Sequence, residues 1–147
     1  MQVSGIIASN KIKDVENSVF EESSRINSTF GGNLVDMFRA QKYLEIIEKE
    51  NLVQNAAKMG EYLLKQTAEL QEQYPDKITN ARGLGLMVAM DLPSTEIRDK
   101  IRKLAFNKDM LLLGCGEKSV RFRPYLTVSK EELDEGMNIL REIVTTV

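Results

Sequence analysis

A cluster of hydroxyl and amide side chains beside a pair of glycines is the first feature that could do chemistry. Asn27, Ser28 and Thr29 lie just before the glycine pair at 31–32, where an apolar helical spacing begins. Free backbone N–H groups at a helix start favour a bound anion, and a threonine hydroxyl can donate one more hydrogen bond to a phosphate. The same stretch could instead be an ordinary cap, with Ser28, Thr29 or Asn33 as the capping residue. The spacing leaves both interpretations open.

Two arginines form the second candidate. Arg121 and Arg123 alternate with Val120 and Phe122, so both guanidinium groups are expected on one side of a strand. An arginine presents a planar fork of N–H donors that matches a carboxylate in two parallel hydrogen bonds. A solvated strand face that carries two charges is the alternative. The residues by themselves specify no reaction.

Composition excludes several classes of protein. The 147 residues include no histidine and one cysteine, Cys115, which rules out a Ser-His-Asp hydrolase and argues against a zinc site or any other metal site. The net charge is −2, with 20 basic and 22 acidic residues well mixed, so no nucleic-acid partner is expected. No apolar run approaches the ~20 residues that span a bilayer, and no signal peptide is recognisable. We expect a cytoplasmic protein without a membrane partner.

Two helices are expected to follow the glycine pair. Apolar positions spaced three and four residues apart predict helices over 33–49 and 52–73, the second capped by Asn51. Gly60 lies inside the second helix, where glycine is unfavourable relative to alanine by ~1 kcal/mol, which indicates close packing at that position. Before them, residues 2–9 are expected as a short buried strand or loop.

After residue 78 the pattern changes to strand, helix, strand, strand, helix. Apolar alternation predicts a strand over 84–92. Further elements are a helix capped by Ser94, a short buried strand in the sequence MLLLGCG, a strand in SVRFRP, and a last helix with a Ser129–Glu132 capping box whose apolar stripe is Leu133, Met137, Leu140 and Val144. This order predicts an α+β fold in which helices cover a small mixed or antiparallel sheet.

Three motifs taken together resemble the C-terminal part of class III, pyridoxal-phosphate-dependent aminotransferases. They are NSTFGGNLVDM, GLGLMVAMDLP and VRFRPYLTVSKEELDEGM, and the likeness runs in order over essentially the whole chain. The resemblance implies a remnant of the large cofactor-binding domain over 1–30. It implies the small C-terminal α+β domain of a fold type I transferase over 31–147. Leu34 stands where the class usually has proline, which favours members acting on lysine over those acting on ornithine or 4-aminobutyrate.

The resemblance also implies roles for individual residues. Thr29 is expected to bind the phosphate of pyridoxal 5'-phosphate, in this family from the neighbouring subunit of a homodimer, with Asn27 and Ser28 shaping the loop. Arg121 is expected to bind a substrate carboxylate, notably that of 2-oxoglutarate, while Arg123 has no implied role. The implied reaction of the parent enzyme converts L-lysine and 2-oxoglutarate to 2-aminoadipate 6-semialdehyde and glutamate.

One family feature has no counterpart. The Schiff-base lysine of the family lies just before the stretch that matches residues 2–5, so no catalytic residue is assigned in this chain. We therefore expect a C-terminal fragment that is inactive as a transaminase by itself. The alternatives are another class III ω-aminotransferase of the ornithine or 4-aminobutyrate type, a non-catalytic amino-acid-binding α+β module, and a subunit of a split enzyme.

Overall fold

The computed structural model describes residues 6, 8–26, 29 and 31–147, and the chain divides into two compact units, Met1–Lys49 and Glu50–Val147. In the first unit lie two short 3-10 helices, Asn10–Ile12 and Ser23–Arg25, and helix α1, Leu34–Lys49. The second unit contains α2 (Leu52–Gln73), β1 (Thr79–Leu84), β2 (Met87–Asp91), α3 (Thr95–Phe106), β3 (Leu113–Cys115), β4 (Ser119–Phe122) and α4 (Lys130–Thr146). The domain division at residue 30 that the resemblance implies stays a prediction.

The second unit is built on an antiparallel sheet of four strands in the order β1-β2-β4-β3. Alternation along β2 and β4 turns Val88, Met90, Val120 and Phe122 to one face, where α2, α3 and α4 cover them. The helices contribute the other large side chains of the core, among them Leu63, Leu70, Ile101, Met137, Leu140 and Val144. This is the predicted α+β arrangement, and the sheet is antiparallel throughout.

Two strand predictions need correction. The predicted strand over 84–92 is a hairpin: Leu84 ends β1, Gly85 turns with φ +53°, and Met87 begins β2. β1 escapes the apolar pattern because its sequence, TNARGL, is polar and mostly exposed. In MLLLGCG, only Leu113–Cys115 form a strand, and these residues are half-buried rather than buried.

A close approach between α2 and the hairpin explains Gly60. A Cβ atom at Gly60 would overlap the carbonyl group of Gly85 and would lie 2.6 Å from the Gly85 Cα. Only glycine leaves room for the turn to sit against the helix. The predicted close packing at Gly60 is therefore confirmed.

Helix boundaries are mostly confirmed, with one correction. The hydroxyl of Ser94 accepts a hydrogen bond from the N–H of Ile97, and Ser129 and Glu132 form the predicted capping box. Asn51 precedes α2 but its side chain caps nothing; it adopts a left-handed conformation with φ +53°, which asparagine tolerates. For residues 2–9, the described residues 6, 8 and 9 belong to no strand, as the loop alternative predicted, but Ile6 is 71% exposed, so the predicted burial is wrong there; residues 2–5 and 7 lie outside the described part.

Candidate functional site

The loop before α1 contains the first candidate, Thr29. Asn33 is the residue that caps α1, because its Oδ1 accepts hydrogen bonds from the N–H groups of Val35 at 2.9 Å and Asp36 at 3.4 Å. The cap that the sequence left open among three residues is therefore Asn33. Thr29 lies four positions earlier, in an exposed turn. Its hydroxyl is not needed to begin the helix.

The described part of this loop fits a phosphate in its donor chemistry. Gly32 has φ +76°, and a Cβ atom there would meet nothing within 4 Å, so there is open space at Gly32. Thr29 is exposed, and its hydroxyl is a hydrogen-bond donor of the kind a phosphate accepts. Asn27 and Ser28, the other predicted cofactor contacts, lie outside the described residues.

The second candidate, Arg121, lies in the second unit, in the middle of β4. It pairs with Ala89 of β2 on one side and with Leu113 of β3 on the other. Since its neighbours Val120 and Phe122 face the core, alternation places Arg121 on the opposite face of the sheet. The strand register thus fixes where this guanidinium emerges. Thr29 and Arg121 belong to different units, and each is described within its own.

A cavity opens where β3 and β4 separate beyond the Leu113–Arg121 pair. It has a volume of about 220 Å³, and its walls are mainly leucine and methionine side chains. Arg121 and Arg123 also line this cavity, and Arg123 is exposed. Leu63, Leu133 and Met137 of this lining belong to helices that cover the core face of the sheet, whereas the register places the Arg121 side chain on the opposite face, so the cavity adjoins the strand that carries Arg121.

Arg121 differs from the other arginines of its unit in its partners. Its side chain is half-buried, and its Nε is buried with no hydrogen-bond partner among the described residues. Neither Arg121 nor Arg123 forms a salt bridge with any residue that the structure describes, whereas side-chain hydrogen bonds or ion pairs hold Arg82, Arg98, Arg102 and Arg141. A buried donor without a partner is costly, which makes Arg121 a candidate for binding an acceptor from outside the described chain.

Beside Arg121, a polar cluster that no sequence motif indicated occupies the same face of the sheet. The carboxylate of Asp91 accepts hydrogen bonds from Ser119 at 2.5 Å, Asn80 at 2.8 Å and Arg82 at 2.9 Å. Desolvation favours the neutral acid, but these three donors outweigh it and lower the pKa of Asp91 from 3.8 to about 2. Asp91 is therefore ionised throughout the physiological range.

Neither a metal site nor a membrane span occurs among the residues that the structure describes. Within residues 6, 8–26, 29 and 31–147, the acidic and cysteine side chains form no group that could hold a metal ion. None of the described helices combines the length and the apolar character needed to cross a bilayer.

Comparison with known proteins assigns the family. A model of the class-III aminotransferase family matches residues 1–144. The L-lysine-epsilon aminotransferase of Amycolatopsis lactamdurans is 46% identical over 140 residues, which cover 95% of this chain and 31% of that protein. The solved lysine aminotransferase from M. tuberculosis superposes with a TM-score of 0.85 at 39% identity, over 95% of this chain and 32% of that one. The chain belongs to the class-III aminotransferase family and spans about a third of the length of these relatives.

Two further solved structures match with the same TM-score of 0.85 and the same 39% identity. Both are variants of one M. tuberculosis protein. One replaces an asparagine by alanine, and the other replaces a threonine two positions later by serine.

Proposed function

We propose that this chain forms part of an L-lysine 6-aminotransferase, which transfers the ε-amino group of L-lysine to 2-oxoglutarate and yields 2-aminoadipate 6-semialdehyde and glutamate. The family membership supports the reaction type, and the names of the two relatives described above support lysine as the amino donor. Leu34, in place of the proline usual in the class, is consistent with that donor.

Arg121 is the observation that carries this proposal. The residue is half-buried, and its Nε is buried with no hydrogen-bond partner among the described residues. A carboxylate of 2-oxoglutarate can accept two parallel hydrogen bonds from such a fork. We assign to Arg121 the binding and orientation of that carboxylate.

Thr29 is assigned to the cofactor phosphate. The hydroxyl of this exposed residue has the donor chemistry for the role, and the chain contains one Asn-x-Thr sequence, Asn27-Ser28-Thr29. The two M. tuberculosis variants replace an asparagine and a threonine at that same spacing, which supports a functional role for Asn27 and Thr29. When bound, pyridoxal 5'-phosphate supplies the electron sink that makes amino-group transfer possible.

The assembly and location belong to the same proposal. Thr29 is proposed to reach the cofactor of the neighbouring subunit, which requires a homodimer, and the enzyme is proposed to work in the cytoplasm. Since the chain spans about a third of its relatives, the 147 residues alone are proposed to be inactive as a transaminase.

A segment exchange tests the function. The matching segment of the A. lactamdurans enzyme is replaced by this chain, and the exchange enzyme is assayed for glutamate formation with lysine, ornithine and 4-aminobutyrate as amino donors. We expect the activity with lysine to exceed the activity with the other two donors. We also expect a Thr29→Val variant to bind the cofactor more weakly. A matched Thr95→Val variant, whose lost hydroxyl donates to the carbonyl oxygen of Glu117 within the second unit, should retain cofactor affinity.

A different outcome would contradict each part of the proposed function. An exchange enzyme that binds cofactor, as its visible absorbance shows, yet prefers ornithine or 4-aminobutyrate would refute lysine as the donor. Unchanged cofactor affinity in Thr29→Val would refute the phosphate contact. Turnover by the 147-residue chain above the rate with cofactor alone would refute its proposed inactivity.

A further inference from the structure

The sheet face opposite the helices brings two arginines close together. In the register of β1, β2 and β4, Arg82 pairs with Ala89, and Ala89 pairs with Arg121. Directly paired residues of neighbouring strands lie on the same face, so the two arginines flank the small side chain of Ala89. Two strand spacings separate them, which places their Cα atoms about 10 Å apart. Two extended guanidinium groups can meet across that distance.

One of these guanidinium groups, that of Arg82, is held by three hydrogen bonds. Nη1 of Arg82 donates to Oδ1 of Asp91 at 2.9 Å and to the carbonyl oxygen of Asn80 at 2.8 Å, and Nη2 donates to Oγ of Ser119 at 3.3 Å. Ser119 lies on β4, so the side chain of Arg82 reaches across β2 to the strand of Arg121. Ser119 and Arg121 are two residues apart on one face, about 7 Å from Cα to Cα.

Asp91 is the group that holds Arg82 there. Its Oδ1 accepts from both Arg82 and Ser119, and its Oδ2 accepts from Asn80. The ion pair balances the charge of Arg82. Arg121 has no salt bridge to a described residue, so on this face one cation is neutralised and its neighbour is free.

We propose that Asp91 is a positioning residue for the carboxylate site: by holding Arg82 in an ion pair, it keeps a second free guanidinium away from Arg121 and leaves Arg121 to bind the substrate. This rests on the proposed function of Arg121. Released from Asp91, Arg82 has the reach to approach Arg121 over Ala89. There it would repel Arg121 and compete for the same carboxylate, because like charges this close are unfavourable in a half-buried setting.

The cluster could have a second role, as a pin that only stabilises the β2–β4 register. The two roles give different results for the two halves of the ion pair. A pin is lost equally when either Asp91 or Arg82 is replaced. A charge-holding role is lost only with Asp91, because removing Arg82 also removes the group that has to be held.

The test compares Asp91→Asn, Arg82→Gln and the double variant in the exchange enzyme. We expect Asp91→Asn to raise the KM for 2-oxoglutarate by about fivefold or more through the unpaired neighbouring charge. Arg82→Gln and Asp91→Asn/Arg82→Gln should each stay within about twofold of the parent, since neither leaves a free second cation. Asp99→Asn is the matched control, because Asp99 pairs with Arg98 and Arg102 on α3, away from this face.

The KM values of the three variants distinguish the charge-holding role of Asp91 from a purely stabilising one. Equal increases for Asp91→Asn and Arg82→Gln, or no rescue in the double variant, would overturn the proposal in favour of a pin. An unchanged KM in Asp91→Asn would overturn it outright. Bound-cofactor absorbance shows that each variant is folded; should Asp91→Asn not fold, a raised KM in Arg82→Gln would still overturn the proposal and a parental KM would support it. Activity of the parent exchange enzyme reports separately on the proposed function.

Discussion

Helices α1 and α4 have the same kind of apolar spacing but very different surroundings. In the second unit, Met137 and Leu140 of α4 are 1% and 0% exposed, whereas Phe38 and Leu44 of α1 in the first unit are 62% and 67% exposed. No residue of α1 is fully buried within the described chain. Apolar spacing therefore predicts a helix and its apolar face, but tertiary structure decides whether other elements bury that face.

The largest effect is expected from matched Leu→Ala substitutions in the two helices. Leu140→Ala should lower the free energy of unfolding by about 2–5 kcal/mol, because it leaves a cavity in the core. Leu44→Ala should change it by less than about 0.5 kcal/mol, because that side chain is exposed. Urea unfolding followed by far-ultraviolet circular dichroism measures both. Similar values for the two variants would contradict the contrast between the units.

Two glycines of the second unit, one tightly packed and one with room for a methyl group, allow a comparison within that unit. Gly60→Ala should lower the free energy of unfolding by about 1–3 kcal/mol, because its Cβ would overlap the backbone of Gly85. Gly136→Ala on α4 should raise it by about 0.5–1 kcal/mol, because its Cβ would make an ordinary 3.7 Å contact with Met110 and alanine favours helix. Thermal unfolding should therefore show shifts of opposite sign. A harmless Gly60→Ala would disprove the close approach.

Lowering the pH should reduce the stability of the second unit, because Asp91 becomes protonated. Its pKa is about 2 in the folded protein and 3.8 without its partners, so its stabilisation is complete above pH ~4 and disappears as the pH falls towards 2. The shift corresponds to about 2 kcal/mol at most. Unfolding curves should show the difference between the parent and Asp91→Asn shrinking over that range. For Asp99→Asn, an exposed ion pair, a smaller pH dependence is expected. A difference in unfolding free energy between the parent and Asp91→Asn that stays constant with pH would contradict the lowered pKa of Asp91.

Local features were readable from the sequence, and long-range ones were not. The Ser129–Glu132 box and the outward position of Arg121 follow from residues within one turn or one strand. In the polar cluster, Asp91 bonds to Arg82 and Ser119, which are 9 and 28 positions away in the sequence, so no local sequence pattern predicts the cluster. The choice of Asn33 as the cap was unreadable for another reason: neighbouring residues had equivalent capping chemistry, and the backbone decides among them.

The central claim is that Arg121 is a free guanidinium placed to bind a carboxylate of 2-oxoglutarate. The most direct measurement is the KM for 2-oxoglutarate of Arg121→Gln in the exchange enzyme, beside Arg141→Gln, whose arginine is hydrogen-bonded to Gln66 and Asn138. Loss of a charge-assisted pair should raise the KM on the order of 10- to 100-fold for Arg121→Gln and leave Arg141→Gln near the parent. A KM for Arg121→Gln equal to that of the parent would contradict the account.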